Sequence, residues 1–531
     1  MAKLKWFPGE QASDEASGAD QAQNGQQRAL TEIDNARIGI AHIRAIVVAG
    51  SGFFTDAYDL FTANFITEMI GLAYYDGGVM PTAASTTLKL PTTAGAVIGQ
   101  VFFGWLADKL GRKKMYGVEL MVILAGTMGQ AIAGYGPGIP ILATIVFWRV
   151  VLGIGVGGDY PLSAIITSDF ASVKWRGALV NSVFAILLFQ VTVKLLARQG
   201  FGNLAAALVS LVCTVAFKHT LIQAASPAEC DGSCRLAADK IWRTIVAFGA
   251  LPAIAALYFR LTIPETPRYT LDVSLDEEKA RADVQAYLHG QREGHHFRKW
   301  KYGKILLGTA GSWFFNDIAF WGLGLNNSAI LNAIGFASEK NVYRNLYNTA
   351  VGNLILSLAG NIPGYWVSVA TIDILGRWPI QAGSFVVLTA LFCVIGFAYH
   401  QLSSGGLLAL YVFCQFFSNF GPNSTTFIIP GEVFPTSFRS TAHGLSAGAG
   451  KVGAVFGQTL VGPLKNKGGK NKWLNHVMQI FAAFILCGLG TTFLVPETKR
   501  KSLEELAHVY HDDPISGTVA EEGSLVVEPE K

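Results

Sequence analysis

The sequence predicts an all-α membrane protein in which twelve transmembrane helices form two pseudo-symmetric six-helix bundles. Of the 531 residues, 51% are hydrophobic and only 15% are charged, with a mean hydropathy of +0.37, whereas soluble domains carry roughly 25% charged residues. Apolar runs of roughly twenty residues, long enough to cross a ~30 Å hydrocarbon core, alternate with short charged clusters. Several motifs also recur at equivalent places in the two halves of the chain.

Twelve apolar stretches of helical length are the candidate spans. In chain order they cover about residues 42–72, 90–110, 114–135, 140–168, 177–217, 243–263, 304–330, 348–371, 379–400, 404–430, 440–464 and 473–495. A charged linker, residues 265–303, separates the bundle over residues 41–264 from the bundle over residues 304–497. The polar segments 1–40 and 498–531 are predicted to be cytoplasmic tails, and the first of them is predicted to be disordered.

Lysine and arginine in the short loops predict the orientation, because such residues concentrate on the cytoplasmic side. The segments "ADKLGRKK" after span 2, "DILGRW" after span 8 and "ETKRKS" after span 12 share one side if both termini are cytoplasmic. One loop disagrees, since the segment between spans 11 and 12 carries Lys465, Lys467, Lys470 and Lys472 on the other side. Because most loops agree, the orientation with cytoplasmic termini is kept, and this lysine-rich loop is predicted to be solvated.

Three pairs of motifs relate the two halves. "DKLGR" (108–112) after span 2 matches "DILGR" (373–377) after span 8, and "PETPR" after span 6 matches "PETKR" after span 12. An acid and an arginine seven residues apart follow span 4 (Asp169 and Arg176) and span 10 (Glu432 and Arg439). Such parallel repeats are typical of transporters that bind substrate near mid-membrane, between the halves.

The segment "GWLADKLGRKK" (104–114) resembles the loop signature of the major facilitator superfamily. The resemblance implies charge pairs that hold the two halves together on the cytoplasmic side. It therefore assigns gating roles, rather than substrate contacts, to Asp108 and Arg112 of this motif, to Asp373 and Arg377 of its repeat, and to Arg176 after span 4.

A narrower resemblance covers nearly the whole chain outside its tails. The segments "GFFTDAYDLF", "GVGGDYPLSAIITSDFA", "WFFNDIAFWGLGLNNS", "NFGPNSTTFIIPGEVFPTSFRSTAHG" and "GKVGA" occur in this order. Each is similar to a signature of the phosphate:proton symporters of fungi and plants. The resemblance implies proton-coupled import of inorganic phosphate across the plasma membrane by rocker-switch alternating access, with phosphate, protons and membrane lipid as the partners.

Asp317 is the first candidate for a substrate contact. Trp313 and Trp321 lie four residues before and after it, so all three share one face of span 7. Intramembrane acids usually face a cavity or a polar bundle interior. The resemblance implies that Asp317 contacts phosphate, which requires a protonated acid that donates a hydrogen bond. Asn316 and Trp321 depart from the leucine and tyrosine usual in the family, so Trp321 either binds phosphate differently or only lines the pocket.

The other substrate contacts are assigned by the resemblance to Tyr160, Asn423 and a glutamine in span 5. An apolar stretch of about forty residues there is too long for one crossing, because residues 186–198 contain about twelve residues beyond the family pattern. The matching glutamine is Gln199, with Gln190 as the alternative. Whether the extra segment belongs to the native protein is left open by the sequence.

Proton coupling is assigned by the resemblance to Asp56, Glu119 and Asp159, in addition to Asp317; Asp59 is a weaker candidate. Arg149, ten residues before Asp159, is either part of this machinery or a structural partner for an acid. Lys451 is a lone cation among small residues. It can neutralise phosphate or pair with an acid such as Asp56.

Several functions are disfavoured by what the sequence lacks. It has no Gly-x-x-x-x-Gly-Lys-Ser/Thr loop for ATP and no recognisable metal spacing among its histidines and cysteines. A net charge of +4 is too small to indicate nucleic acid binding. We therefore expect neither an enzyme nor a cofactor. An organic phosphate transporter, a non-transporting phosphate receptor of the same fold and a product inactivated by the span 5 insertion remain alternatives. A Cys230–Cys234 disulfide and the oligomeric state are left open.

Overall fold

A computed structural model of the chain describes residues 40–136, 138–185, 199–261, 299–435, 438–469, 471–503 and 505–506. Most of both predicted tails, most of the linker between the bundles and the extra segment 186–198 lie outside these residues. Within them the regular structure is helical, apart from one isolated bridge between Gly136 and Ile139. The predicted all-α class is confirmed.

The helices of the first half occupy the places of predicted spans 1 to 6. Their bounds are Ile40–Phe61 and Ala63–Tyr74 (span 1), Thr82–Leu110 (span 2), Arg112–Ala131 (span 3), Ile141–Phe170 (span 4), Arg176–Ala185 and Gln199–Ala216 (span 5), and Ser233–Phe248 and Ala250–Leu261 (span 6). A short helix, Lys218–Leu221, and three 3₁₀ turns lie between them.

The second half repeats this order in spans 7 to 12. The bounds are Lys299–Gly324 and Asn327–Ala333 (span 7), Val342–Ile355 and Ile362–Leu375 joined by the π-helical turn Leu356–Asn361 (span 8), Arg377–Ala398 (span 9), Ser404–Phe420 and Pro422–Val433 (span 10), Arg439–Lys465 (span 11) and Leu474–Thr492 (span 12). Among the described residues, six helical segments are long and apolar enough by themselves to cross a membrane.

Span 2 begins at Thr82, whereas the sequence predicted a start at about residue 90. The polar run "ASTTLK" hid the first two turns, because a lysine and several hydroxyl groups lower the local hydropathy. These residues nevertheless form helix, and Lys89 is only 7% exposed because it packs between the two halves. Burial of Lys89 therefore accompanies the earlier start of the helix.

Spans 2 and 11 form the central contact between the halves, and small residues allow their backbones to approach closely. A Cβ on Gly444 of span 11 would overlap the carbonyl oxygen of Gln100 on span 2. Within the first half, a Cβ on Gly99 would likewise overlap the carbonyl oxygen of Ile154 on span 4. Small residues commonly have this role where helices pack in membranes. Spans 1, 4, 7, 8, 10 and 11 contribute buried polar and aromatic residues to the centre.

The bundle has two ends, which we name by their residues. The motif end carries Asp108 and Asp373, at the ends of spans 2 and 8. The disulfide end carries the loop between spans 5 and 6, where Cys230 and Cys234 are joined by a disulfide. The sequence had left this bond open.

Candidate functional site

The centre of the molecule contains a buried ion pair between spans 7 and 11 of the second half. The Nζ of Lys451 lies 3.0 Å from Oδ2 of Asp317, and both side chains are at most 3% exposed. Asn316 donates a hydrogen bond of 3.2 Å to the other carboxylate oxygen. Lys451 therefore pairs with Asp317 and not with Asp56, which corrects the example pairing considered from the sequence. The reason is that span 11 packs along span 7, away from span 1.

Aromatic rings enclose this ion pair. The Lys451 ammonium lies 4.8 Å from the ring centroid of Tyr160 and 4.5 Å from that of Trp321. Cation–π contacts of this kind stabilise a desolvated charge. Trp321 stacks on Phe61 of span 1, with ring centroids 5.6 Å apart. Its indole Nε1 is buried and has no hydrogen-bond partner of standard geometry among the described residues.

Trp313 and Tyr160 extend the aromatic wall between the halves. Their ring centroids are 6.5 Å apart, and Tyr160 also packs on Phe53 at 4.9 Å. Phe427 of span 10 contacts both Tyr160 and Trp313. The structure therefore brings three predicted substrate residues, Tyr160, Trp313 and Trp321, around Asp317.

A row of amides approaches the centre from spans 8 and 10. Asn423 donates hydrogen bonds to the hydroxyl of Tyr365 at 2.6 Å and to Asn419 at 3.0 Å. Asn419 donates in turn to Asn361 at 2.9 Å. These residues lie beside the π-helical turn of span 8 and the break of span 10 at Gly421. Such interruptions are tolerated in membrane helices where they line a site.

Sequence reasoning named Asn423 but missed Tyr365, Asn419 and Asn361. The i, i+4 spacing of Asn419 and Asn423 was a usable signal, because it places both amides on one helix face. Tyr365 had no comparable signal, since its contact depends on how span 8 packs against span 10.

A second polar cluster lies within the first half. Arg260 of span 6 donates to Glu119 of span 3 and, at 2.7 Å, to Asp159 of span 4. The side chains of all three are fully buried. Asp56 of span 1 is 1% exposed and lies within hydrogen-bonding reach of Asp159. The three acids predicted for proton coupling are thus neighbours, and Arg260, which the sequence analysis did not consider, joins them.

Arg149 is separate from this acid cluster. It is 1% exposed, and its Nη1 lies 3.3 Å from the side-chain oxygen of Gln130. The acid within its electrostatic range is Asp59, whose Oδ2 accepts a 2.6 Å hydrogen bond from Thr127. This arrangement favours the reading of Arg149 as a structural partner for an acid.

At the motif end, each half caps a helix of the other. Asp108 accepts hydrogen bonds from the backbone N–H groups of Ser440 and Thr441, at 3.3 and 2.7 Å, at the start of span 11. Asp373 accepts one from the N–H of Ala178, at 2.8 Å, at the start of span 5. A carboxylate at a helix N-terminus satisfies free N–H groups and interacts favourably with the helix dipole.

Arginines complete the motif end. Arg112 pairs with Asp169, and Arg377 pairs with Asp373 and Glu432, each at 2.8 Å. Arg439 of span 11 pairs with Asp169 across the two halves at 3.1 Å. The Nη1 of the remaining predicted gating residue, Arg176, donates to the carbonyl of Lys501 at 2.9 Å.

Three residues of this end were missing from the predicted gating set: Asp169, Glu432 and Arg439. The seven-residue spacing of acid and arginine in both halves was the available signal. The spacing showed that the segments after spans 4 and 10 are equivalent, but it did not show which acid each arginine contacts.

The disulfide end is joined across the halves by several hydrogen bonds. Asn64 donates to the carbonyl of Gly324 at 2.8 Å, and Ser328 donates to the carbonyl of Asn64 at 2.9 Å. Lys89 donates to Asn326 at 3.1 Å, beside the break of span 7. Contacts at both ends thus enclose the central site.

Gln199 begins the second helix of span 5, but its side chain lies outside the described atoms, and Gln190 lies outside the described residues. The choice between them stays a prediction. Among the residues that the structure describes, no group of three or more His, Cys, Asp or Glu side chains is placed to hold a metal ion.

Two six-helix halves around a buried central site define a membrane transporter of the major facilitator fold. The family model "Sugar (and other) transporter" matches residues 45–296 and 328–510, and the chain belongs to this family. The fold is also that of the proton:xylose symporter XylE, with a TM-score of 0.64 and 19% identity over 88% of this chain and 99% of that one.

Two curated relatives are much more similar in sequence. The "Repressible high-affinity phosphate permease" of Neurospora crassa is 52% identical over 516 residues, which cover 90% of this chain and 88% of that protein. The "Inorganic phosphate transporter PHO84" of Saccharomyces cerevisiae is 50% identical over 525 residues, covering 91% and 87%. The family and these relatives are transporters, not enzymes.

Proposed function

We propose that this protein imports inorganic phosphate together with protons across the plasma membrane by alternating access, with both termini in the cytoplasm. The observation that carries the proposal is the buried Asp317–Lys451 pair, enclosed by aromatic rings and amides between the two halves. The names of the two curated relatives support phosphate as the substrate.

Charge balance in the central site explains why phosphate would need a proton. The ionised Asp317–Lys451 pair is neutral, and an uncompensated charge at the membrane centre costs about 3 kcal/mol or more. Phosphate monoanion entering alone would add a negative charge beside the Asp317 carboxylate. If a proton enters with it and neutralises Asp317, the site remains neutral and Lys451 takes phosphate as its new counterion.

The protonated Asp317 can then donate a hydrogen bond to phosphate instead of repelling it. In this proposal Tyr160 contributes a hydroxyl group from the first half and Asn423 an amide group from the second. Because binding of phosphate and binding of the proton favour each other, the two affinities are coupled reciprocally. That coupling is the thermodynamic requirement for symport.

Alternating access requires each end to open in turn. At the motif end, opening separates Asp108 and Asp169 from span 11 and Asp373 from span 5. At the disulfide end, it separates Asn64 from span 7. Membership of a transporter family and contacts at both ends support a cycle that passes through an enclosed state.

The test is radiolabelled phosphate uptake by purified protein in liposomes, with a set pH gradient and with or without a protonophore. We expect accumulation only with the acidic side outside, and loss of accumulation when the protonophore is added. Equal accumulation with and without the protonophore would overturn proton coupling. An excess of a glycerophosphodiester serves as the substrate control.

We expect that glycerophosphodiester to compete poorly. Trp313 and Trp321 are each 2% exposed, and with Tyr160 they close around the Asp317–Lys451 pair. This crowding favours a small anion. Strong competition by the diester would instead support the organic phosphate alternative.

A further inference from the structure

The acid cluster of the first half contains more negative than positive groups. Asp56, Glu119 and Asp159 are each at most 1% exposed, and Arg260 is the cation that bonds to two of them. One guanidinium neutralises one carboxylate, so the cluster is neutral only with two protons on its three carboxyl groups. Isolated buried charges are costly, which makes the neutral form the favoured one.

Packing and hydrogen bonds fix the position of the Arg260 side chain. Its guanidinium carbon lies 4.0 Å from the ring centroid of Tyr116, and the Tyr116 hydroxyl is 2.9 Å from that of Ser163. Ser163 donates a 2.5 Å hydrogen bond to Asp159. A Cβ at Gly52 of span 1 would overlap both the guanidinium and the Asp159 carboxylate. Span 1 therefore carries a glycine where the ion pair needs the space.

The carboxyl groups of the cluster differ in their surroundings. Asp159 accepts from both Arg260 and Ser163, and Glu119 accepts from Arg260 with one oxygen. Neither oxygen of Asp56 has an N–H or O–H donor among the described residues, but its carboxyl group lies within reach of Asp159. Two adjacent carboxyl groups can share one proton. Asp56 is the member best placed to carry it, because Arg260 stabilises Asp159 in its ionised form.

We propose that Arg260 is a positioning residue for proton coupling, which keeps Asp159 ionised as the acceptor for a proton carried by Asp56. In the transfer, the O–H bond of Asp56 breaks and an O–H bond forms on Asp159. Only a proton moves, so neither residue is oxidised or reduced. The inference rests on the proposed symport function and adds to it a residue on span 6.

The charged and titratable groups around Arg260 come from three spans. Span 3 contributes Glu119 and Tyr116, span 4 contributes Asp159, and span 1 contributes Asp56 with Asp59 one turn further along. Removing the guanidinium leaves the cluster neutral only with three protons. In wild type, a proton that leaves Asp159 or Glu119 exposes a carboxylate bonded to Arg260. Without the guanidinium that carboxylate has no cation beside it, so release becomes the slow step.

The test compares Arg260→Gln, Arg260→Lys and wild type in liposomes. Two readouts are needed: uphill accumulation across a range of pH, and phosphate–phosphate exchange without a gradient. During phosphate–phosphate exchange, the protein can change conformation with its protons still bound. Net accumulation requires the protein to release those protons. We expect Arg260→Gln to lower accumulation by about tenfold or more while exchange stays within about twofold of wild type.

Arg260→Lys keeps the charge but cannot span two carboxylates as the guanidinium fork does. We expect partial accumulation with an altered pH profile. The matched control is Arg243→Gln, on the same span 6, which removes a partly exposed arginine paired with Asp239 at 3.0 Å. We expect this control to leave the pH profile of accumulation unchanged.

Wild-type accumulation by Arg260→Gln, or equal loss of accumulation and exchange in folded protein, would overturn the role of Arg260. If Arg260→Gln does not fold, Arg260→Lys decides, since an unchanged pH profile would contradict the proposal. Failure of the proposed function is recognised separately, because wild-type accumulation would then resist the protonophore.

Discussion

The two halves of the molecule bury their acids differently. In the second half, Asp317 has one cation, Lys451, and the pair is balanced and enclosed by aromatic rings. In the first half, Arg260 bonds to two carboxylates, Glu119 and Asp159, and a third carboxyl group, that of Asp56, lies beside Asp159. A balanced pair can accept an anion only together with a proton, whereas a cluster with excess acid can hold protons without an anion. In the proposed mechanism, the second half binds phosphate together with a proton, whereas the first half carries protons alone.

The largest expected effect comes from Asp317→Asn, which removes the acid of the balanced pair. Asparagine can donate a hydrogen bond but cannot exchange a proton. We expect uphill phosphate accumulation to fall to background while some phosphate binding to Lys451 remains. The measurements are radiolabelled uptake in liposomes and equilibrium binding to purified protein.

The matched control for this change is Asp76→Asn, since Asp76 has a fully exposed side chain near the disulfide end. It should leave uptake unchanged. Uphill accumulation by Asp317→Asn at the wild-type level would remove Asp317 from the mechanism and with it the contrast between the halves.

Lys451→Met should produce the next largest effect, on stability as well as transport. Removing one partner of a buried pair costs about 3–5 kcal/mol, because the other charge remains unpaired. The double variant with Asp317→Asn removes both charges and should recover most of the lost stability but no accumulation. Thermal unfolding of the single and double variants in the same detergent measures the coupling. Additive losses of stability would show that the two side chains do not interact.

Glu119→Gln tests the excess-acid cluster and should have an intermediate effect. With Arg260 retained, the remaining Asp56 and Asp159 are neutral with one proton instead of two. If that second proton is exchanged during transport, the limiting accumulation ratio should fall by about tenfold per unit of imposed pH gradient, since one pH unit corresponds to about 1.4 kcal/mol per proton. Steady-state phosphate ratios at two gradients provide the measurement. Unchanged ratios would mean that Glu119 does not exchange a proton.

The smallest effect is expected from replacing Cys230 and Cys234 by serine, which alters the first half without touching either acid site. The cysteines lie only four positions apart in sequence, and closing so small a loop stabilises a fold by about 2 kcal/mol at most in the chain-entropy model. We expect a small fall in melting temperature and uptake within about twofold of wild type. Loss of uptake in well-folded protein would show that this loop takes part in gating.

The residues of the central site differ in how visible they were in the sequence. Asp317 stood out because an acid in an apolar run is costly, and its two tryptophans followed from helical spacing. Arg260 did not stand out, because it lies near the end of span 6, close to the charged "PETPR" segment, where an arginine is ordinary. Its contacts with Glu119 and Asp159 depend on three helices meeting, which no local pattern reports.

The amino-acid sequence by itself determined the all-α membrane class, the twelve spans, the repeat and most of the acids, because hydrophobic length and the cost of buried charge act locally along the chain. Only the tertiary structure decided which charges meet: Lys451 with Asp317, Arg260 with Glu119 and Asp159, and Arg439 with Asp169 across the halves. It also moved the start of span 2, where burial of Lys89 between the halves outweighs the low hydropathy of the segment. Partner choice depends on helix packing over long sequence separations, and that packing is set by the whole bundle.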